Sequence, residues 1–238
     1  MSISRQFGIE SWHAWAPGLV EPAQWQAYFA APGPLAADDK ADVGFLPAMQ
    51  RRRLSPLARA AFFVSQRCMA DAPPCPVIYS SIYGETRRSD TILQDMARGE
   101  DMSPTAFGLS VHNAIAGQSS ILFGNKQPIF AEAPSDQSYL TAFVDAIGLL
   151  AEGHESVLLV FYEEQAPAFF APFCHSTDFT CALAIKIRRP VATGHSLQLD
   201  YTGGNEHDDT LPDLLCLIRF LALGQPQLDL GAWRLTRD

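Results

Sequence analysis

Apolar positions recur along this chain in two rhythms. From Ser55 onward, Leu57, Ala61, Val64 and Cys68 follow at steps of four, three and four, which puts them on one helical face. Ser55-Pro56 opens that helix with a capping hydroxyl and a proline whose fixed φ suits the first turn; Pro73-Pro74 closes the segment. A second helix is predicted over residues 137–152, with Leu140, Phe143, Val144, Ile147 and Ala151 on one stripe. Ser135 or Asp136 is its expected N-cap, and Gly153 follows its end. Asp90 to Arg98 and Leu211 to Leu223 predict two further helices. Ser103-Pro104 repeats the cap-and-proline signal ahead of a segment from Thr105 to Phe123, which Gly124 ends.

The other rhythm is that of strands. Val77 to Tyr83 is short and rich in β-formers, and Pro128 to Ala131 reads as another strand. Val157 to Tyr162 is continuously apolar, as in a strand covered on both faces. Phe179 to Ile187 and the weakly alternating Ser196 to Tyr201 complete the set, with a loop at Pro167 to Phe173. The first 45 residues have weak periodicity and predict an irregular lead-in with one short strand near Gly8. Alternation of strands and helices across residues 77–187 predicts a layered α/β fold.

Composition narrows the class. With 238 residues, 47% hydrophobic and 18% charged, the chain has enough apolar material for a sizeable core. A net charge of −9 argues against a nucleic-acid partner. The one tight basic cluster, Arg51, Arg52 and Arg53 with Arg59 beyond, reads as a solvated helix start, or as a dock for something acidic such as an acyl carrier protein. The longest apolar runs fall well short of the roughly 20 residues a membrane helix needs, and the N-terminus lacks a signal pattern, so a cytoplasmic protein is expected. Five scattered cysteines without paired spacing predict neither a disulfide framework nor a zinc site; Cys68 and Cys216 read as core thiols. Glycine-rich nucleotide loops and metal-spaced clusters are absent, so no cofactor or metal is expected.

The stretch from Ser103 to Gly124, SPTAFGLSVHNAIAGQSSILFG, then PIFAEA, the helical residues 137–152, VLLVFYEE and FTCALAIKI resemble successive segments of the beta-ketoacyl synthases, over roughly residues 45–190. The resemblance implies a thiolase-like fold, a layered mixed sheet with flanking helices matching the N-terminal half of that family. The whole of residues 1–238 is then one ketosynthase-like domain with a divergent segment at 191–238.

The resemblance also shows a loss. The family's nucleophilic cysteine sits at the elbow between strand and helix, where the positive helix end lowers its pKa. Counting from Ala116-Gly117 and Gly124, that position holds Asp136, beside Ser135. A carboxylate forms an anhydride rather than a thioester, and a serine there needs a base. The family's two histidines belong to its second half, which has no counterpart in residues 1–238.

A ketosynthase-like chain without the cysteine resembles a chain length factor, here of the kind found in aryl polyene clusters. The resemblance implies a non-catalytic subunit that pairs with an active ketosynthase, as a heterodimer or a higher assembly of it, and shapes its elongation tunnel. It meets acyl carrier protein through the complex. Ile129, Phe130 and Ala131 would cross the dimer, and Phe107, Leu109, Val111, His112 and Asn113 would line the boundary or the tunnel. The other readings are an independent acyltransferase or decarboxylase using Ser135 or Cys174, and an acyl- or carrier-binding module.

Overall fold

The computed structural model describes residues 4–35, 39–70, 72–134, 138–190, 196–204 and 211–237. One eight-stranded mixed sheet runs through them, built from β1 (Ser4–Trp15), β2 (Val77–Ser80), β3 (Ile129–Glu132), β4 (Ser156–Glu163), β5 (Cys181–Arg188), β6 (Ser196–Tyr201), β7 (Gln227–Leu230) and β8 (Trp233–Arg237). The strand order is β3-β2-β4-β5-β1-β6-β8-β7. The two pairings of β2, with β3 and with β4, are parallel, and the rest are antiparallel.

Helices cover both faces. They are α1 (Pro22–Ala30), α2 (Ala48–Arg51), α3 (Pro56–Met69), α4 (Thr86–Ala97), α5 (Pro104–Gly108), α6 (Ala114–Phe123), α7 (Thr141–Ala151) and α8 (Asp213–Leu223). The layered α/β expectation holds. Strand β4 shows why: Val157, Leu159 and Phe161 enter the core beneath α1, α7 and α8, while Leu158, Val160 and Tyr162 enter the core beneath α3 and α6. A strand buried on both faces has no polar side to show, hence its continuous apolar run.

The α3 pattern is borne out, with Leu57, Ala61, Val64 and Cys68 all buried and Ser55 Oγ accepting from the Ala58 amide at 3.0 Å. Ser103 caps α5 in the same way, accepting from the Ala106 amide at 3.2 Å. Beyond α5 the chain turns before α6 begins, so residues 105–123 are two helices.

Three expectations are corrected. The first 45 residues are not an irregular lead-in: they hold the twelve-residue β1 and the helix α1. The register of β1 slips between Ile9 and Ser11, and the residues facing the larger core change from Phe7 and Ile9 to Trp12 and Ala14. A bulge of that kind breaks the period-two pattern from which a strand is read. Helix α7 begins at Thr141 with Leu140 as its N-cap, so neither Ser135 nor Asp136 stands at the cap position; both lie outside the described residues. Its buried stripe runs through Ala142, Phe143, Ala146, Leu149 and Leu150, which leaves Val144 exposed. Finally β2 ends at Ser80, and Ser81 to Glu85 turn into α4, which starts before Asp90.

Candidate functional site

Because β2, β3 and β4 run parallel, their C-terminal ends meet on one edge of the sheet. That edge gathers Ser80-Ser81, Glu132 and Glu163-Glu164, and the chain leaving β3 returns there through Ser138 to start α7. In open parallel sheets, such carboxyl ends are where sites form.

Glu163 is the hub. Its Oε1 accepts hydrogen bonds from Ser81 Oγ at 3.1 Å, from the Ile82 amide at 2.5 Å and from the Tyr139 hydroxyl. Its Oε2 is buried without a partner. Burial pushes the Glu163 carboxyl up to about 7, against the pull of its three donors. Tyr139, equally buried, ties the start of α7 to the end of β4, and burial followed by the Glu163 charge holds its hydroxyl far above the usual range.

Ser138 marks the elbow. Its φ of 126° makes it the only non-glycine residue with positive φ among the described residues. Such a conformation costs of order 1–3 kcal/mol and persists only where its surroundings enforce it. Here the Leu140 amide donates to Ser138 Oγ at 2.9 Å, and Thr141 Oγ1 donates to the Ser138 carbonyl at 3.0 Å.

On the other side, His112 Nε2 lies 2.7 Å from the Ser81 carbonyl oxygen, and the ring lies against Gly84. A Cβ at residue 84 would approach His112 Cδ2 to 3.1 Å, and the backbone there has φ +54°, so glycine is required twice over. Glu85, also buried, accepts from Ser55 Oγ at 2.5 Å and from Arg88 Nε at 3.2 Å, which fastens α4 to the start of α3. Glu164 is pushed up to about 7, by burial first and then by Glu85, with Arg87 acting against both.

These contacts build a rigid elbow with a neutralised acid beneath it. The Ser81 and Ser138 hydroxyls and the His112 imidazole are engaged with backbone or carboxylate, the Ser80 hydroxyl is buried without a partner, and no hydroxyl–imidazole pair stands ready among the described residues. Cys174 is half-buried after a short 3-10 helix, and the amide of its neighbour His175 donates to the Tyr83 hydroxyl at 2.9 Å. The other four cysteines are buried and free. Among the described residues no group of three His, Cys, Asp or Glu side chains is placed to hold a metal ion, and no helix is long and apolar enough to cross a membrane.

The boundary residues expected from sequence fall in two places. Ile129, Phe130 and Ala131 lie in β3, the outermost strand of the sheet, whose far edge has no partner strand among the described residues. Phe130 is 42% exposed, and Ile121, on the helix α6 that packs over β3, is 79% exposed. Phe107, Leu109, Val111, His112 and Asn113 occupy α5 and the turn into α6; Phe107 is 58% exposed and makes no part of either core. Sequence reading missed the Glu163 hub. The signal was present in VLLVFYEE, two acids at the end of an otherwise apolar strand.

Known proteins show the same architecture. The model of the family described as beta-ketoacyl synthase, N-terminal domain, matches residues 23–234. A chain in the structure of the ketosynthase ApeO in complex with its chain length factor ApeC from Xenorhabdus doucetiae superposes with a TM-score of 0.81 at 26% identity, covering 98% of this chain and 100% of that one. The ishigamide ketosynthase/chain length factor follows with a TM-score of 0.60, 18% identity, and coverage of 84% and 68%. The ketosynthase from module 6 of the bacillaene synthase of Bacillus subtilis 168 gives 0.55 and 12%, and the match covers 37% of that longer chain. A search of curated protein sequences found no significant match. The last two similarities speak for the fold, and the family match spans most of the sequence: the chain belongs to the beta-ketoacyl synthase family, through its N-terminal domain.

Proposed function

We propose that this chain is a non-catalytic, chain-length-factor-like subunit that pairs with an active ketosynthase in the cytoplasm and walls its elongation tunnel. The observation that carries the reading is the elbow itself. The chain has a strand and a helix where the resemblance puts those that flank the nucleophile, yet residues 133–140 read APSDQSYL, with no cysteine between Cys75 and Cys174. Without a thiolate there is no thioester to carry the growing chain.

The bare edge of β3, with Phe130 exposed on it, supports the pairing. An unpaired edge strand presents amide and carbonyl groups to another chain and is otherwise a liability. The likeness to a ketosynthase–chain length factor complex over 98% of the chain supports the same role. Carrier protein would reach the complex as an acidic partner, and the exposed Arg52 and Arg53 are compatible with such an approach.

The test is condensation by the co-expressed complex with Asp136→Ala. Turnover is expected to persist, since the carboxylate does no chemistry. Loss of turnover in a complex that stays assembled refutes the non-catalytic reading. Incubating the isolated chain with acyl thioesters and measuring intact mass is the companion experiment, and a stable adduct on Ser135 or Cys174 would establish an independent acyl enzyme instead.

A further inference from the structure

A cavity of about 360 Å³ opens at the end of the sheet opposite Glu163, beside the N-terminal ends of β2 and β4. The length of β4, from Ser156 to Glu163, separates the two places: about 23 Å at roughly 3.3 Å per residue. Lys186 lines the cavity from β5. Lysine is almost never fully buried, yet this side chain is 3% exposed. Its partner is Glu10, whose Oε1 accepts from Nζ at 2.9 Å. The bulge in β1 brings them together: the register with β5 passes from Ile9 to Ser11 and leaves Glu10 over. Bulges re-aim side chains, and they gather beside sites. Glu10 engages one of the three ammonium protons, and no other acceptor meets Nζ among the described residues.

A second cation stands beside the first. Arg188 lies two residues further along β5, hence on the same face, and lines the same cavity. Its Nε is buried without a partner, and its side chain makes no hydrogen bond or ion pair among the described residues. A guanidinium is always charged and carries five donors. Buried donors left unbonded cost stability, and native proteins leave few of them.

The remaining lining decides the kind of ligand. Of the two acids there, Glu10 is held by Lys186, and Glu155 is exposed, where solvent screens its charge. His154 and Ser156 line the cavity from the turn into β4, and Gln127 lines it from the loop before β3. Donors therefore come from three elements, which suits the three oxygens of a phosphate monoester better than the two of a carboxylate. The volume is at the small end of ligand sites, roughly 300–1,000 Å³, so the molecule is small.

We infer that this cavity binds the phosphate group of a small phosphorylated molecule, with Arg188 and the two remaining protons of Lys186 as its main donors. The site lies away from the elbow and from the β3 edge, so it stands independently of the heterodimer reading. A ligand there ties β1, β4 and β5 together, and binding raises the stability of the folded chain.

The experiment titrates the full chain with inorganic phosphate, methyl phosphate and acetate at equal ionic strength, by calorimetry and by thermal melts. Both phosphates are expected to bind saturably and to raise the melting temperature, with acetate about tenfold weaker or more. Arg188→Gln breaks no hydrogen bond of the fold, so it should melt like the wild type without phosphate and bind phosphate about tenfold more weakly or worse. Glu10→Gln removes the competing carboxylate and is expected to tighten phosphate binding. Unchanged affinity in both variants overturns the inference. So does a melting temperature that phosphate raises equally in the wild type and Arg188→Gln, which is a general salt effect, and so does acetate binding as tight as phosphate binding.

Discussion

At the scale of single residues, Glu163 decides how the elbow is held. Three donors converge on Oε1, so the proton that burial favours belongs on the unpartnered Oε2. The folded carboxyl titrates near 7 against an ordinary value of 4.5. Between those two values the native state holds more protons than the unfolded state, so stability falls as pH rises through the window. The full swing for this one group is on the order of 3 kcal/mol at about 1.4 kcal/mol per unit. Glu163→Gln keeps an acceptor for the three donors and puts an amide where the proton sat. Thermal melts of the variant are expected to lose the Glu163 share of the wild type's decline in stability between pH 4.5 and 7.5, with Glu164, raised into the same range, keeping its own. A variant that declines as steeply as the wild type would show that Glu163 is ionised throughout. Glu163→Ala strands the donors instead, each at roughly 1–3 kcal/mol, and should unfold far more readily.

At the scale of elements, β3 is the piece with least to hold it. It has four residues, one neighbouring strand, and Phe130 facing outward. Phe130→Asp should therefore barely change the isolated chain, since surface changes usually lie within about 0.5 kcal/mol. In the complex the same carboxylate is buried beside Glu132 and costs several kcal/mol, more than a marginal interface absorbs. Size-exclusion chromatography of the co-expressed pair checks this: the heterodimer peak is expected to vanish, and a normal peak would place the interface elsewhere. The elements also show which signals the sequence carries. Helix α3 and strand β4 were legible because a regular face meets a continuous core. Strand β1 was not, since its bulge changes the inward-facing set midway, and α1, with Trp25 as its only buried residue, leaves no stripe to read. Helix α7 was read four residues too long at its start, because the Ser138 turn is set by side-chain contacts to Leu140 and Thr141 that no periodicity records. The resemblance to a family pointed to Ser135 and Asp136, which lie outside the described residues; Glu163, beneath the Ser138 turn, depended on Tyr139 and Ser81 arriving from distant parts of the chain.

At the scale of the whole molecule, the proposed function raises the question of what a ketosynthase-like subunit contributes without a nucleophile. On that proposal it contributes a wall: bulk placed where a partner's growing chain must stop. Phe107 is the residue to test. It lies in the segment that the resemblance puts at the boundary and is 58% exposed, so the alternative in which it fills this chain's own core is set aside by the structure. A core phenylalanine cut to alanine leaves a cavity worth roughly 3–5 kcal/mol, and every product would fall together. An exposed one leaves the fold intact, and the isolated Phe107→Ala chain should melt within about 0.5 kcal/mol of wild type. In the complex the vacated space accepts acyl methylenes, each burial worth about 0.8 kcal/mol, so the mean product length should shift upward with the heterodimer unchanged. Phe107→Trp should shift it downward. Mass spectrometry of carrier-bound products across the three chains reads both shifts at once. If lengths stay constant while both variants assemble normally, the wall is built by other residues of the boundary segment, with Leu109 and Val111 next in line.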